Sequence, residues 1–186
     1  MNFQTLSQMS NNQLEDLMQE GKKPNMTELA EKEYNGWNMG LLPLLSGLQK
    51  FRKGFQKQDG NYFTGYNVLM QQNHFNKTWE KKLVNGEPQI FGFYEVTSAQ
   101  DRYLNALQLD YNTLKNKKVE EWLLDYIVEI EPGNPDLLLG KAHVLPITLF
   151  YRWNTPIIPP TFFILEKFRD VSFEESQRLK KRFYKN

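Results

Sequence analysis

The chain has no cysteine, which excludes disulfides, thiolate metal sites and a cysteine nucleophile. Its two histidines, His74 and His143, fit neither a His-x-x-x-His nor a His-Glu-x-x-His spacing, so no metal is expected. Serine is sparse, and Ser46 and Ser98 lack the Gly-x-Ser-x-Gly surroundings of an activated nucleophile. There is no Gly-x-Gly-x-x-Gly or Walker loop to cradle a nucleotide phosphate, and no cofactor is expected. An excess of one charge is missing too. The 23 Lys and Arg face 22 Asp and Glu, so no global field selects nucleic acid or an acidic partner. No run approaches the ~18 apolar residues of a membrane span. The first residues show no charged segment followed by an apolar one, so no secretory signal is read and a cytoplasmic location is expected.

What the chain does have is aromatic weight: Phe, Tyr and Trp make up 14% of its 186 residues. Rings favour half-buried pleated surfaces, and they also line ligand pockets. The length fits one domain with a sizeable core.

Residues 10–21 read as a short helix. Ser10 or Asn11 caps it, Leu14, Leu17 and Met18 share a face, and Gly21 supplies a left-handed stop. From about Tyr34 onward, short apolar and aromatic runs alternate with Gly, Asn, Asp and Pro, the spacing of an all-β chain. Strands are predicted over 34–40, 48–55, 62–70, 79–83, 89–96, 104–111, 124–131, 137–144 and 161–168. Asp59-Gly60 and Asn85-Gly86 supply hairpin turns. Over 124–131, Leu124, Tyr126, Val128 and Ile130 form one face. Asp125, Glu129 and Glu131 form the other, which reads as a half-buried strand with its acids in water. Residues 173–183 read as a helix with a capping-box start at Ser172 and a basic end, as the helix dipole prefers. The predicted fold is mostly β: a closed antiparallel barrel of about eight strands over 34–168. A helical arm over 1–33 and a helix over 169–186 flank it. Closure removes the edge strands; a two-sheet sandwich is the alternative.

The Gly36-Trp37 pair at the entry of the first strand resembles the Gly-x-Trp opening of bacterial lipocalin-like (calycin-type) β-barrel proteins. Here it reads Gly36-Trp37-Asn38-Met39-Gly40, one residue out of step with Gly-x-Trp-x-Gly. Leu138-Leu139-Gly140-Lys141 and Phe163-Ile164-Leu165 are similar to the last strands of such barrels. The resemblance implies that Trp37 plugs the closed end under a basic residue, Lys167 or Arg169, and that the barrel holds a pocket.

Within that frame Tyr66, Asn67 and Tyr94 are candidates to orient a ligand. They carry polar tips inside strands, where a buried hydroxyl or amide needs a partner. Asp110, Tyr126 and Lys141 join them, with Asp110 and Lys141 balancing each other if both point inward. The opposing reading places the tyrosine tips at the barrel rim. Lys53, like Lys141, could point inward and hold an anionic head group, but outward is the default, since lysine is seldom buried unpaired. The partner expected is a small hydrophobic molecule, in binding or in acid–base catalysis. The proline-rich run 153–160 offers a lid or an interaction patch instead.

Overall fold

The computed structural model describes residues 1–40, 47–116, 120–144 and 160–184, with side chains to Lys181. Three helices, α1 (Phe3–Ser7), α2 (Asn11–Glu20) and α3 (Met26–Leu29), precede ten strands. These are β1 (Lys32–Asn38), β2 (Lys50–Lys57), β3 (Phe63–Leu69), β4 (Leu83–Val84), β5 (Glu87–Pro88), β6 (Ile90–Ser98), β7 (Leu107–Asp110), β8 (Leu123–Glu129), β9 (Leu137–Val144) and β10 (Thr161–Asp170). Helix α4 (Phe173–Tyr184) follows. Eight of the strands close a barrel in the order β1-β10-β9-β8-β7-β6-β3-β2, every pairing antiparallel, and β1 also pairs with β2. Apart from the excursion through β4 and β5, each strand neighbours the next in sequence, and the pairing of β1 with β10 closes the wall.

The turn chemistry explains the hairpins. Asn85 and Gly86 take φ of 53° and 81° between β4 and β5, and Gly60 takes 70° between β2 and β3, a region cheap for glycine and tolerated by asparagine. The predicted strand over 79–83 is only an isolated bridge, Met70 to Lys81, followed by the short β4. Ser10 caps α2 with a full capping box through Gln13. Gly21 ends that helix differently from the prediction, with φ of −59°. Glycine is needed there for close approach, since a Cβ would lie 2.6 Å from Val128.

The barrel interior is packed with rings, and interior glycines make the room. A Cβ on Gly36 would sit 2.4 Å from the Phe51 ring, on Gly65 2.2 Å from Tyr94, and on Gly140 2.1 Å from Phe163. Each pair is a direct cross-strand pair. A ring from one strand thus lies over the missing side chain of its neighbour. With Tyr34, Phe55, Phe63, Leu109, Ile127, Leu138 and Leu165 these rings form one buried cluster.

A second apolar layer lies outside the barrel. Phe3, Leu6, Leu14 and Met18 of the arm cover Leu124, Tyr126, Val128, Leu139, Phe162 and Ile164 of β8–β10. Helix α4 sets Leu179 against Tyr66, Val68 and Met70. This reverses the reading of β8. Its apolar face points outward, where the helical arm buries it, and its acidic face points into the barrel, leaving Asp125 and Glu129 buried. Helices bury much of the outer face as well, so burial alone does not separate inside from outside.

Candidate functional site

The interior polar centre is built from four strands' worth of chain. Lys53 on β2 stands directly across from Asn67 on β3. Tyr111 follows the end of β7, and Asp125 lies on β8. Lys53 is 1% exposed. Its Nζ donates to the Tyr111 hydroxyl at 2.5 Å and to Asp125 Oδ2 at 3.2 Å. The Tyr111 hydroxyl donates to the same Asp125 oxygen at 2.8 Å and accepts from Asn67 Nδ2 at 3.3 Å. That hydroxyl is saturated, with two donors and one acceptor around it.

Two hydrogen-bonding positions are left open. Asn67 Nδ2 also donates to the Gly92 carbonyl at 3.0 Å, which fixes the orientation of the amide, and Asn67 Oδ1 is then buried with no hydrogen-bond partner among the described residues. Lys53 finds two acceptors for its three hydrogens, while the Tyr94 ring centroid lies 4.5 Å from its Nζ. The bare acceptor of Asn67 thus belongs to the residue directly across the strand pair from Lys53.

Burial sets the electrostatics. Desolvation holds the Lys53 pKa below its ordinary value, against the pull of Asp125. It pushes the Tyr111 hydroxyl well above its own, helped by the Asp125 carboxylate. Tyr94 is raised in the same way and donates to the Gly54 carbonyl at 2.8 Å. The centre is thus a lysine, an aspartate and a phenol enclosed by aromatic rings. Burying such a pair commonly costs more in desolvation than the pairing returns.

Of the residues singled out in the sequence, Asn67 and Tyr94 belong to this centre. Tyr66, Asp110, Tyr126 and Lys141 lie on the outer wall. Tyr66 donates to Glu33 at 3.1 Å beneath α4. Asp110 accepts from the Asn112 backbone amide at 2.8 Å. Lys141 is not its partner. It pairs with Glu15 of α2 at 2.5 Å and donates to Tyr103 at 2.9 Å, clamping the arm to the wall. Tyr126 donates to Asp101 at 2.9 Å in the same patch. There His143 accepts at Nδ1 from Arg102 at 3.1 Å, with Nε2 buried and without a hydrogen-bond partner among the described residues. Burial, then Arg102 and Lys141, bring its pKa down to about 4.

Trp37 is not a plug. It faces outward and half-buried, with Phe75 and Trp79 edge-on at 4.9 and 6.4 Å. The bulge in β1 between Glu33 and Tyr34 precedes it, and Gly36 holds the inward position. Arg169 lies elsewhere on the outer wall, bonded to Glu33 at 2.9 Å and Glu175 at 2.6 Å. The run 153–159 lies outside the described residues.

Lys53, Tyr111 and Asp125 carry the centre and were not the expected residues. The signal was present for Lys53: Phe51-x-Lys53-x-Phe55 puts the lysine between two rings on one strand face. Among the described residues no cluster of three His, Asp or Glu can hold a metal, and no helix is long and apolar enough to cross a membrane. The fold and site together define an eight-stranded up-and-down β-barrel with a charged, hydrogen-bonded centre. No known protein family, curated protein or solved structure matches the chain.

Proposed function

We propose that the barrel binds one small molecule at the Lys53–Asn67 pair. The ligand class is one that presents an acceptor beside a donor on a flat apolar body, namely a small carboxylic acid in its protonated form or a cyclic amide. The observation that carries this reading is the bare Asn67 Oδ1 next to a fully buried ion pair. A buried acceptor without a partner costs about 1–3 kcal/mol, and a ligand N–H or O–H relieves that cost. The ligand's carbonyl takes the third Lys53 hydrogen, and Phe51, Tyr94 and Phe163 flank its ring. Lys53 is closed from solvent, so entry requires these side chains to move. The kinship with lipocalin-like barrels that Gly36-Trp37 suggests forms part of this proposal, with the polar centre rather than Trp37 as its anchor.

A thermal-shift screen of aromatic carboxylic acids and lactams tests the reading. A ligand at a hundredfold excess over its Kd stabilises by about 2.7 kcal/mol, or roughly 5–10 °C for a chain of this size. A panel that leaves the melt unmoved refutes the proposal.

A second reading, proton-transfer catalysis in the same centre, is favoured by the short Lys53–Tyr111–Asp125 contacts. Candidate groups within hydrogen-bond reach are what general acid–base chemistry requires. Following each bound compound by NMR separates the two, since turnover consumes the ligand and binding alone returns it unchanged.

A further inference from the structure

A second candidate site lies outside the barrel, between the start of the arm and the segment after β3. It is an open cleft of about 500 Å³ lined by Asn2, Phe3, Gln4, residues 75–79 and Glu166. That volume is within the range of small-ligand sites, roughly 300–1,000 Å³. Its floor is aromatic. Phe3 and Phe75 stack at 5.3 Å with a 33° tilt, and Trp79 meets Phe3 edge-on at 6.3 Å. Phe75 and Trp79 are half-buried and both line the cleft.

The wall is preorganised by a second buried lysine. Lys50 is completely buried and sends its Nζ to Asn73 Oδ1 at 2.5 Å, the His74 carbonyl at 2.9 Å and the Lys77 carbonyl at 2.8 Å. All three ammonium hydrogens are used, and the turn carrying Phe75, Asn76 and Lys77 is held to β2. A wall fixed in this way loses little freedom when it binds.

The polar groups around the floor are unspent. Gln4, Asn76, Lys77 and Glu166 direct no side-chain hydrogen bond or ion pair at another described residue, and all four are exposed. Their charges cancel, one ammonium against one carboxylate. That balance disfavours a phosphate or nucleotide, which would meet an excess of cations. The ring of amides and charges disfavours an acyl chain, which would need continuous apolar surface. Amides that both donate and accept, a carboxylate and an aromatic floor suit a neutral ring with hydroxyls on its edge and C–H groups on its faces.

From this geometry we infer that the cleft is a saccharide-binding site, independent of the barrel centre. The test is titration of the full chain with maltotriose, cellotriose and triacetylchitotriose, read by isothermal calorimetry and tryptophan fluorescence up to about 10 mM. Sodium laurate and adenosine monophosphate serve as comparison probes. At least one saccharide is expected to bind saturably. Glu166→Ala and Gln4→Ala should each weaken it about tenfold or more, with the melting temperature unchanged because neither side chain holds the fold. Failure of every saccharide to titrate overturns the inference. So does binding that ignores both substitutions, or a cleft-dependent preference for laurate or the nucleotide.

Discussion

Replacing Lys53 by Met breaks the interior ion pair without opening a large cavity, since the two side chains have similar length and volume. Asp125 is then a buried carboxylate left, among the described residues, with the Tyr111 hydroxyl as its side-chain donor. Removing one partner of a buried pair destabilises by about 3–5 kcal/mol. For a chain of this size, each kcal/mol moves the melt by roughly 2–4 °C, so the single variant should melt about 6–20 °C lower. The triple variant Lys53→Met/Tyr111→Phe/Asp125→Val removes the ammonium, the hydroxyl that needs both partners, and the carboxylate together. It leaves Asn67 its bond to Gly92. An apolar replacement of a whole buried pair is neutral or stabilising by about 1–4 kcal/mol in comparable cases, so the triple variant should recover most or all of the loss. Urea unfolding of wild type, single and triple variants decides the matter. A single variant as stable as wild type refutes the reasoning, because the two charges would then not depend on each other. A triple variant no better than the single refutes it too, because packing rather than charge would explain the loss.

Two further outcomes follow from the outer wall. Trp37→Ala should cost about 2–3 kcal/mol in urea unfolding, less than the ~3–5 of a fully buried tryptophan, because the ring is half-buried against Phe75 and Trp79. A loss within error would mean that the aromatic cluster does not hold the arm. His143 is neutral in the folded chain with a pKa brought down to about 4 from 6.5. The unfolded chain therefore binds its proton first, and stability should fall by up to about 3 kcal/mol as pH drops from 6.5 to about 4. Arg102 and Lys141 oppose that proton, while Glu15 and Asp101 favour it. The His143→Gln variant should lose the slope between pH 6.5 and 5, and an unchanged slope would contradict the assignment.

The barrel itself was legible from the sequence, since period-two runs and Asp-Gly and Asn-Gly turns have local physical causes. The strand over 79–83 was misread because Trp79 and the residues after it carry strand-like composition. They pair only through one bridge, Met70 to Lys81, and through Leu83 at the start of β4, which faces Pro88 of β5. The inner face was not legible from alternation alone. On β8, Leu124, Tyr126 and Val128 look like a core-facing stripe, and they are buried, but against the arm rather than inside the barrel. Alternation assigns residues to faces. It assigns a face to the interior only when the other is wet, and here helices cover much of the outside. Lys53 was set outward by the rule that lysines seek water. Its flanking Phe51 and Phe55, each inside, overrule that rule locally. Asp125, three strand positions into β8, is what makes the burial tolerable, and a partner so distant in sequence leaves no local trace.

The most direct test of the barrel site is calorimetric titration of the acids and lactams that shift the melt, against wild type and the stable Lys53→Met/Tyr111→Phe/Asp125→Val variant. Wild type should bind one molecule per chain, and the variant should bind about 100-fold more weakly or not at all, having lost the donor and the ordered hydroxyl beside Asn67. Equal affinity for both proteins would contradict the account, since the ligand would then be held somewhere other than the buried centre.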